Sequence, residues 1–271
     1  MWCSGTFFSS ALMFALVLCH NSAANESAYN ALSTVQDPTC RCGASAFLSS
    51  PHTNISKTEP VDRCFDYRLL DARGTAEPQG VSSMFQSLIA QVLANRTGGY
   101  SQPVVYPADP DQNTTSGQGY LLRQLEAGVR ACPRQKFVIL GYSQGASLIL
   151  EASTRFDQFI SNAIAAIILV GNPYRIPEKK SSVNSRGLPD KRATIGRFAV
   201  SALSTGSNVP QLPLDLDTSG KVLDYCLEHD TVCSIDPACD CQLPADHLSY
   251  GLIQTVQETA FEHIIQALAS N

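Results

Sequence analysis

The run AIAAIILV, Ala163 to Val170, carries no polar side chain. An edge strand or a surface helix keeps one face in water and has no reason to be apolar throughout, so this run is expected to be a central strand covered on both faces. It belongs to a longer rhythm. CFDYRLLDA, SSMFQSLIAQVLANR, PVVYPA, GYLLRQLEAGVRAC, KFVILG and GASLILEASTRF precede it, and KVLDYC and IQTVQETAFEHIIQALAS follow. Short apolar runs alternating with longer amphipathic ones imply an α/β fold, a parallel sheet with helices on both faces. Between Pro173 and Gly220 the rhythm lapses into a Pro-, Ser- and Gly-rich stretch. It is expected to be an excursion at one sheet edge and not a second domain. No internal repeat is visible.

The N-terminus bounds the compartment. Phe7, Phe8 and Ala11 to Cys19 form a short apolar core ahead of Ser22-Ala23-Ala24, which reads as a secretory signal peptide over residues 1–24. No Lys or Arg precedes that core, an atypical feature, and the run is well below the ~20 apolar residues a membrane span needs. Residues 25–63 are polar and read as an arm lying over a domain of residues 64–271. The chain is expected to be extracellular and, as a working reading, monomeric. A net charge of -5 without a dense basic run argues against a nucleic-acid partner. Sequons at Asn25, Asn54, Asn95 and Asn113 are compatible with glycosylation on export.

Beyond the signal, eight cysteines remain: Cys40, Cys42, Cys64, Cys132, Cys226, Cys233, Cys239 and Cys241. An even number in an oxidising compartment favours disulfides. The pairs CRC and CDC have one intervening residue where structural zinc sites usually have two to four, so no metal is expected. Nothing in the chain calls for a cofactor.

Chemistry concentrates in GYSQG, residues 141–145, between the strand-like KFVIL and a helix starting near Gln144. In that context Gly-x-Ser-x-Gly is the signature of a nucleophile elbow. The serine occupies a strained turn that lifts its hydroxyl above the sheet, and side chains at 141 and 145 would collide with neighbouring backbone. A nucleophilic Ser143 needs a base, and the base needs an orienting carboxylate. In the chain order of such hydrolases the histidine follows the serine, which leaves His229, His247 and His263. His263 lies within an amphipathic helical pattern, whereas His247, in PADHLSYG, precedes the last helix and can reach over the sheet edge; His229 stays open as a rival. Twelve acidic residues lie between Ser143 and His247. Asp230 stands out because a bridge between the cysteines that bound CLEHDTVC would close an eight-residue loop around it. Asp224, at the end of the preceding strand, is its rival, and spacing leaves the two level.

Four ordered motifs resemble the cutinase family of secreted serine esterases: DARGTAEP at 71–78, CPRQKFVILGYSQGA at 132–146, CLEHDTVC at 226–233 and HLSYG at 247–251. The similarity runs from about Cys64 to the C-terminal helix. It implies an α/β-hydrolase-type three-layer sandwich with a five-stranded parallel sheet and no large lid. It implies Ser143 as nucleophile, His247 as general base, Asp230 as its partner, and the N–H groups of Thr75 and Gln144 as the oxyanion hole, with the Thr75 hydroxyl as an extra donor. It also implies the bridges Cys64–Cys132 and Cys226–Cys233, leaving Cys40 and Cys42 to pair with Cys239 and Cys241 in either order. On the loop-entropy model the long bridge is worth roughly 4 kcal/mol and the short one about 2 to 3. His229 departs from the pattern, standing where the family has glycine before the aspartate; a positive φ there would strain the loop.

The resemblance implies hydrolysis of carboxylic esters through an acyl-enzyme, on a polymer-borne substrate of the cutin polyester type. An acetylxylan esterase, removing acetyl groups from polysaccharide, is the alternative: YPADPDQNTTSGQGY and CDCQLPADHL are polar where cutinases carry apolar loops, although VPQLPLDL offers apolar contacts. A catalytically silent binding or effector protein on the same scaffold is the other class of reading.

Overall fold

The computed structural model describes residues 63–235 and 245–270. The signal segment, the arm apart from Arg63, Asn25, Asn54 and the cysteines Cys40, Cys42, Cys239 and Cys241 lie outside the described residues, so the readings made for them rest on sequence alone.

Chain order runs β1 (Tyr67–Ala72), α1 (Gln86–Asn95), β2 (Gly99–Pro103), α2 (Thr115–Ala131), β3 (Lys136–Tyr142), α3 (Gln144–Ser153), α4 (Gln158–Ala163), β4 (Ile164–Val170), β5 (Ser182–Val183), α5 (Arg197–Ser204), α6 (Leu214–Thr218), β6 (Val222–Tyr225), a 3-10 turn (Ala245–Leu248) and α7 (Gln254–Ala269). All strand pairings are parallel and the order is β2-β1-β3-β4-β6-β5. The apolar run is therefore a central strand, as its composition requires, with every residue of β4 buried.

Alternate residues serve the two faces. Leu70, Phe137, Ile139, Ile167 and Leu169 point to a core closed by α2, α3 and α4 through Leu121, Leu125, Leu148, Ile149 and Ile160. Leu69, Val138, Leu140, Ile168 and Val170 point to the opposite core, closed by α1 and α7 through Leu88, Val92, Val256 and Ile264. A period-2 strand apolar at every position can be satisfied only by cover on both sides, which makes the three layers a consequence of composition. Ile168 is fully buried. Ile168→Ala is expected to destabilise the fold by about 2–5 kcal/mol, read as a lower urea midpoint with an unchanged m-value.

Two expectations need correction. The sheet has six strands and not five: the 173–220 excursion returns to the edge as two-residue β5, and the N–H groups of Asp224 and Cys226 bond to Ser181 and Val183 carbonyls. PVVYPA is not the second strand. That strand is the more polar GYSQP, and pairing continues only as far as the Val104 N–H, which donates to the Asp71 carbonyl at 2.7 Å. An edge strand is not forced to be apolar, whereas Pro107 can donate nothing to a ladder.

The winding places the chemistry. From β1 the chain moves outward to β2 on one side, and from β3 outward to β4 and β6 on the other. The carboxyl ends of the adjacent strands β1 and β3, with Ala72 beside Gly141, form the switch point where α/β folds hold ligands.

Candidate active site

β3 delivers the chain to Ser143, and α3 begins at the next residue. Ser143 has φ 53° and ψ -115°, a strained conformation for a residue with a Cβ. The surroundings hold it there. Its N–H donates to the Val170 carbonyl at 3.0 Å, and its own carbonyl accepts from Ala146 and Ser147. A Cβ on Gly145 would lie 1.9 Å from the Ala72 carbonyl oxygen, and one on Gly141 2.9 Å from the Gly145 carbonyl oxygen, both backbone atoms. Both glycines are thus required by close approach, as the motif predicts.

Three distant segments meet at the hydroxyl. His247, on the 3-10 turn before α7, places Nε2 2.8 Å from Ser143 Oγ. Its Nδ1 lies 2.9 Å from Asp230 Oδ2, inside the loop closed by the Cys226–Cys233 bridge. Asp230 is fully buried and takes two more donors, the Tyr250 hydroxyl on Oδ2 at 2.6 Å and the Val232 N–H on Oδ1 at 2.8 Å. Burial alone would push this carboxyl's pKa up. The neighbouring His247, together with the hydrogen bonds from His247, Tyr250 and Val232, outweighs burial and holds it below the ordinary carboxylate value. The His247 backbone is also fixed, because Tyr142 Oη donates to its carbonyl at 3.0 Å. Behind the ring, Gly171 has φ 63°, and a Cβ there would meet His247 Nδ1 at 2.8 Å and Asp230 Oδ2 at 3.2 Å.

On the other side of the serine, the turn after β1 is pinned by Arg73, buried beneath it. Its guanidinium donates to the Glu77, Tyr106 and Pro107 carbonyls and to Gln79 Oε1, and stacks 4.8 Å from the Tyr106 ring. Glu77 Oε2 accepts the Gly74 N–H at 2.6 Å. Thr75 Oγ1 accepts from Gln112 Nε2 at 2.9 Å, which leaves its own proton free to donate elsewhere. Ala76, Ala108 and Gln112 all have positive φ, at 62°, 56° and 62°. Strain of this kind persists where surrounding structure imposes it, and here it surrounds Thr75. Among the described residues the N–H groups of Thr75 and Gln144 make no hydrogen bond.

A family model described as Cutinase matches residues 63–268. The chain belongs to the cutinase family. A cutinase of Hypocrea jecorina is 34% identical over 128 residues, 44% of this chain and 50% of that protein. The chain spans about half the length of the curated relatives it matches. Among solved structures, a cutinase-like protein from Cryptococcus sp. has 33% identity and a TM-score of 0.65, over 76% of this chain and 96% of that one. The catalytic core domain of acetyl xylan esterase from Trichoderma reesei, at 21% identity and a TM-score of 0.56 over 75% and 99%, shares the fold.

Both bridges implied for a cutinase, Cys64–Cys132 and Cys226–Cys233, are present. The structure brings together Ser143, His247 and Asp230 and leaves their rivals elsewhere. Asp224 accepts from Asn172 Nδ2 at 2.8 Å; burial first of all pushes its pKa up to about 6, against the opposing effect of Asn172 and Arg175. His263 Nε2 faces the Lys221 carbonyl on the surface of α7. His229 is exposed, its backbone N–H donating to Asp246 Oδ2, and it is not among the residues with positive φ, so the strain that a positive φ would bring there does not arise. Sequence reasoning missed Gln112, Tyr142, Gly171 and Tyr250 as parts of the site. Tyr142 and Tyr250 lie inside the recognised motifs, while nothing local marks Gln112. Among the described residues no group of three His, Cys, Asp or Glu side chains could hold a metal, and no helix is long and apolar enough to cross a membrane.

Proposed function

We propose that this cutinase-family chain is a secreted serine esterase acting on carboxylic esters through an acyl-enzyme. The observation that carries the reading is the continuous relay from Ser143 Oγ through His247 to the buried Asp230 carboxylate. Neutral His247 takes the serine proton as Oγ attacks the ester carbonyl, then returns it to the leaving alcohol; water repeats the attack on the acyl-enzyme. The unpaired N–H groups of Thr75 and Gln144, with the Thr75 hydroxyl, are assigned to the oxyanion, each such donor being worth about 3–4 kcal/mol in the transition state. The two disulfides fit an oxidising, extracellular setting.

Polyester of the cutin type is the favoured substrate. The Cryptococcus relative, 33% identical over most of its length, is a cutinase-like protein, and Val200 and Leu203 are exposed on α5, whose first N–H groups donate to the Val232 and Pro173 carbonyls. Deacetylation of polysaccharide is the second reading, favoured by the exposed polar residues Asp109, Asp111 and Asn113 on the loop that sends Gln112 to Thr75. A fluorophosphonate is expected to phosphonylate Ser143, detected by peptide mass. An unmodified Ser143 in folded protein means a silent scaffold. On p-nitrophenyl acetate, butyrate and a long-chain ester, the polyester reading expects turnover to persist with chain length; a collapse beyond acetate supports the polysaccharide reading.

A further inference from the structure

The HLSYG segment contributes a second side chain to the acid. Tyr250 follows His247 by three residues, and the turn between them brings its ring edge-on beneath the imidazole, 6.5 Å between centroids. The side chain is fully buried. Its oxygen has two hydrogen-bond partners: the Leu227 N–H donates to it at 3.1 Å, and Asp230 Oδ2 lies at 2.6 Å; Cys233 Sγ, 3.4 Å away, belongs to a disulfide and has no proton to give. A phenol has one proton, and a main-chain donor already occupies one of its lone pairs. The proton therefore goes to the carboxylate. Burial first, then the Asp230 charge, push the phenol's pKa well up, so it remains a donor across the working range.

Asp230 Oδ2 thus receives His247 Nδ1 and Tyr250 Oη together, while Oδ1 receives only the Val232 N–H. Without the phenol proton, the oxygen that orients the imidazole keeps a single partner, and the carboxylate can turn about its Cβ–Cγ bond. We infer that Tyr250 is a positioning residue of the proposed hydrolysis, acting through Asp230 to hold the carboxylate, and hence the His247 ring, in line with Ser143. This rests on the esterase reading.

The test is a double-mutant cycle on p-nitrophenyl butyrate with Tyr250→Phe and Asp230→Asn. Charge-assisted hydrogen bonds of this kind predict that Y250F lowers kcat about tenfold with KM changed less than about twofold, since a positioning residue acts on the chemical step. In the D230N background the same substitution is expected to lower kcat less than about twofold, because the carboxylate on which it acts is gone. An equal loss in both backgrounds would assign Tyr250 to structural support alone, and an unchanged kcat for Y250F would remove it from the mechanism; either overturns the inference. Full activity in D230N would also overturn the inference, because the carboxylate through which Tyr250 acts would then not matter; the esterase reading itself fails only if folded wild type turns over no ester and leaves Ser143 unmodified by a fluorophosphonate. Should Y250F not fold, 3-fluorotyrosine placed at 250 by nonsense suppression keeps the shape and the Leu227 bond while strengthening the donor. A kcat change that vanishes with D230N supports the inference, and one that persists, or no change in either background, overturns it.

Discussion

Ser143→Ala lowers kcat/KM on a p-nitrophenyl ester by about five to six orders of magnitude in the proposed mechanism, with the fold retained. The size follows from non-additivity: once the nucleophile is gone, His247 has no proton to take and Asp230 nothing to orient, so the relay fails as a unit. The residual rate comes from substrate binding and the oxyanion donors, and is expected to be about 10³-fold or more above water. Adding His247→Ala to Ser143→Ala should change little, and this separates a coupled relay from independent contributions. Folding tolerates the change because the contacts that hold the elbow are made by the Ser143 backbone, with the N–H on Val170 and the carbonyl on Ala146 and Ser147, and not by its hydroxyl. Circular dichroism and the melting temperature check that the protein is intact. Activity within tenfold of wild type in intact protein would remove Ser143 from the mechanism.

That the elbow is legible in five residues, while its partners need the wider motifs, has a physical cause. The constraints on Gly141 and Gly145 come from atoms within a strand-turn-helix and the adjoining end of β1, so residue type at fixed spacing reports them. The same holds for β4 and its flanking layers, where burial on both faces leaves an unbroken apolar run. His247 and Asp230 come from two different loops, and spacing alone leaves Asp230 level with Asp224 and His229 open as a rival; the resemblance of CLEHDTVC and HLSYG is what singles them out in the sequence. What separates them in the fold is the packing of the 3-10 turn against β3 through Tyr142 and against the Cys226–Cys233 loop through Tyr250. Gln112 is the limiting case. Its contact with Thr75 depends on a loop residue at φ 62°, a conformation that glutamine does not advertise. The sixth strand was illegible for a related reason, since two residues of pairing leave no periodicity to read.

Asp230→Asn is expected to lower kcat about 10⁴-fold by reversing a tautomer. With a carboxylate at 230, His247 Nδ1 must carry the proton and Nε2 presents its lone pair to Ser143 Oγ. An asparagine keeps its oxygen for Val232 N–H and offers its NH₂ to Nδ1, so the ring proton moves to Nε2, which then donates to the serine and cannot accept from it. The stability consequence has a definite sign. The Asp230 carboxyl lies below its ordinary value in the folded protein, so its ionised form contributes stability that is present above the unfolded value of about 3.9 and is lost as pH falls through the lower, folded one. Wild type should therefore lose stability below about pH 4 more steeply than D230N, and the two urea midpoints should converge as acid protonates the native carboxyl. Parallel pH curves for the two proteins would mean that the charge of Asp230 is not held by the contacts around it. A D230N enzyme within tenfold of wild type at neutral pH would mean that the carboxylate does not set the tautomer of His247.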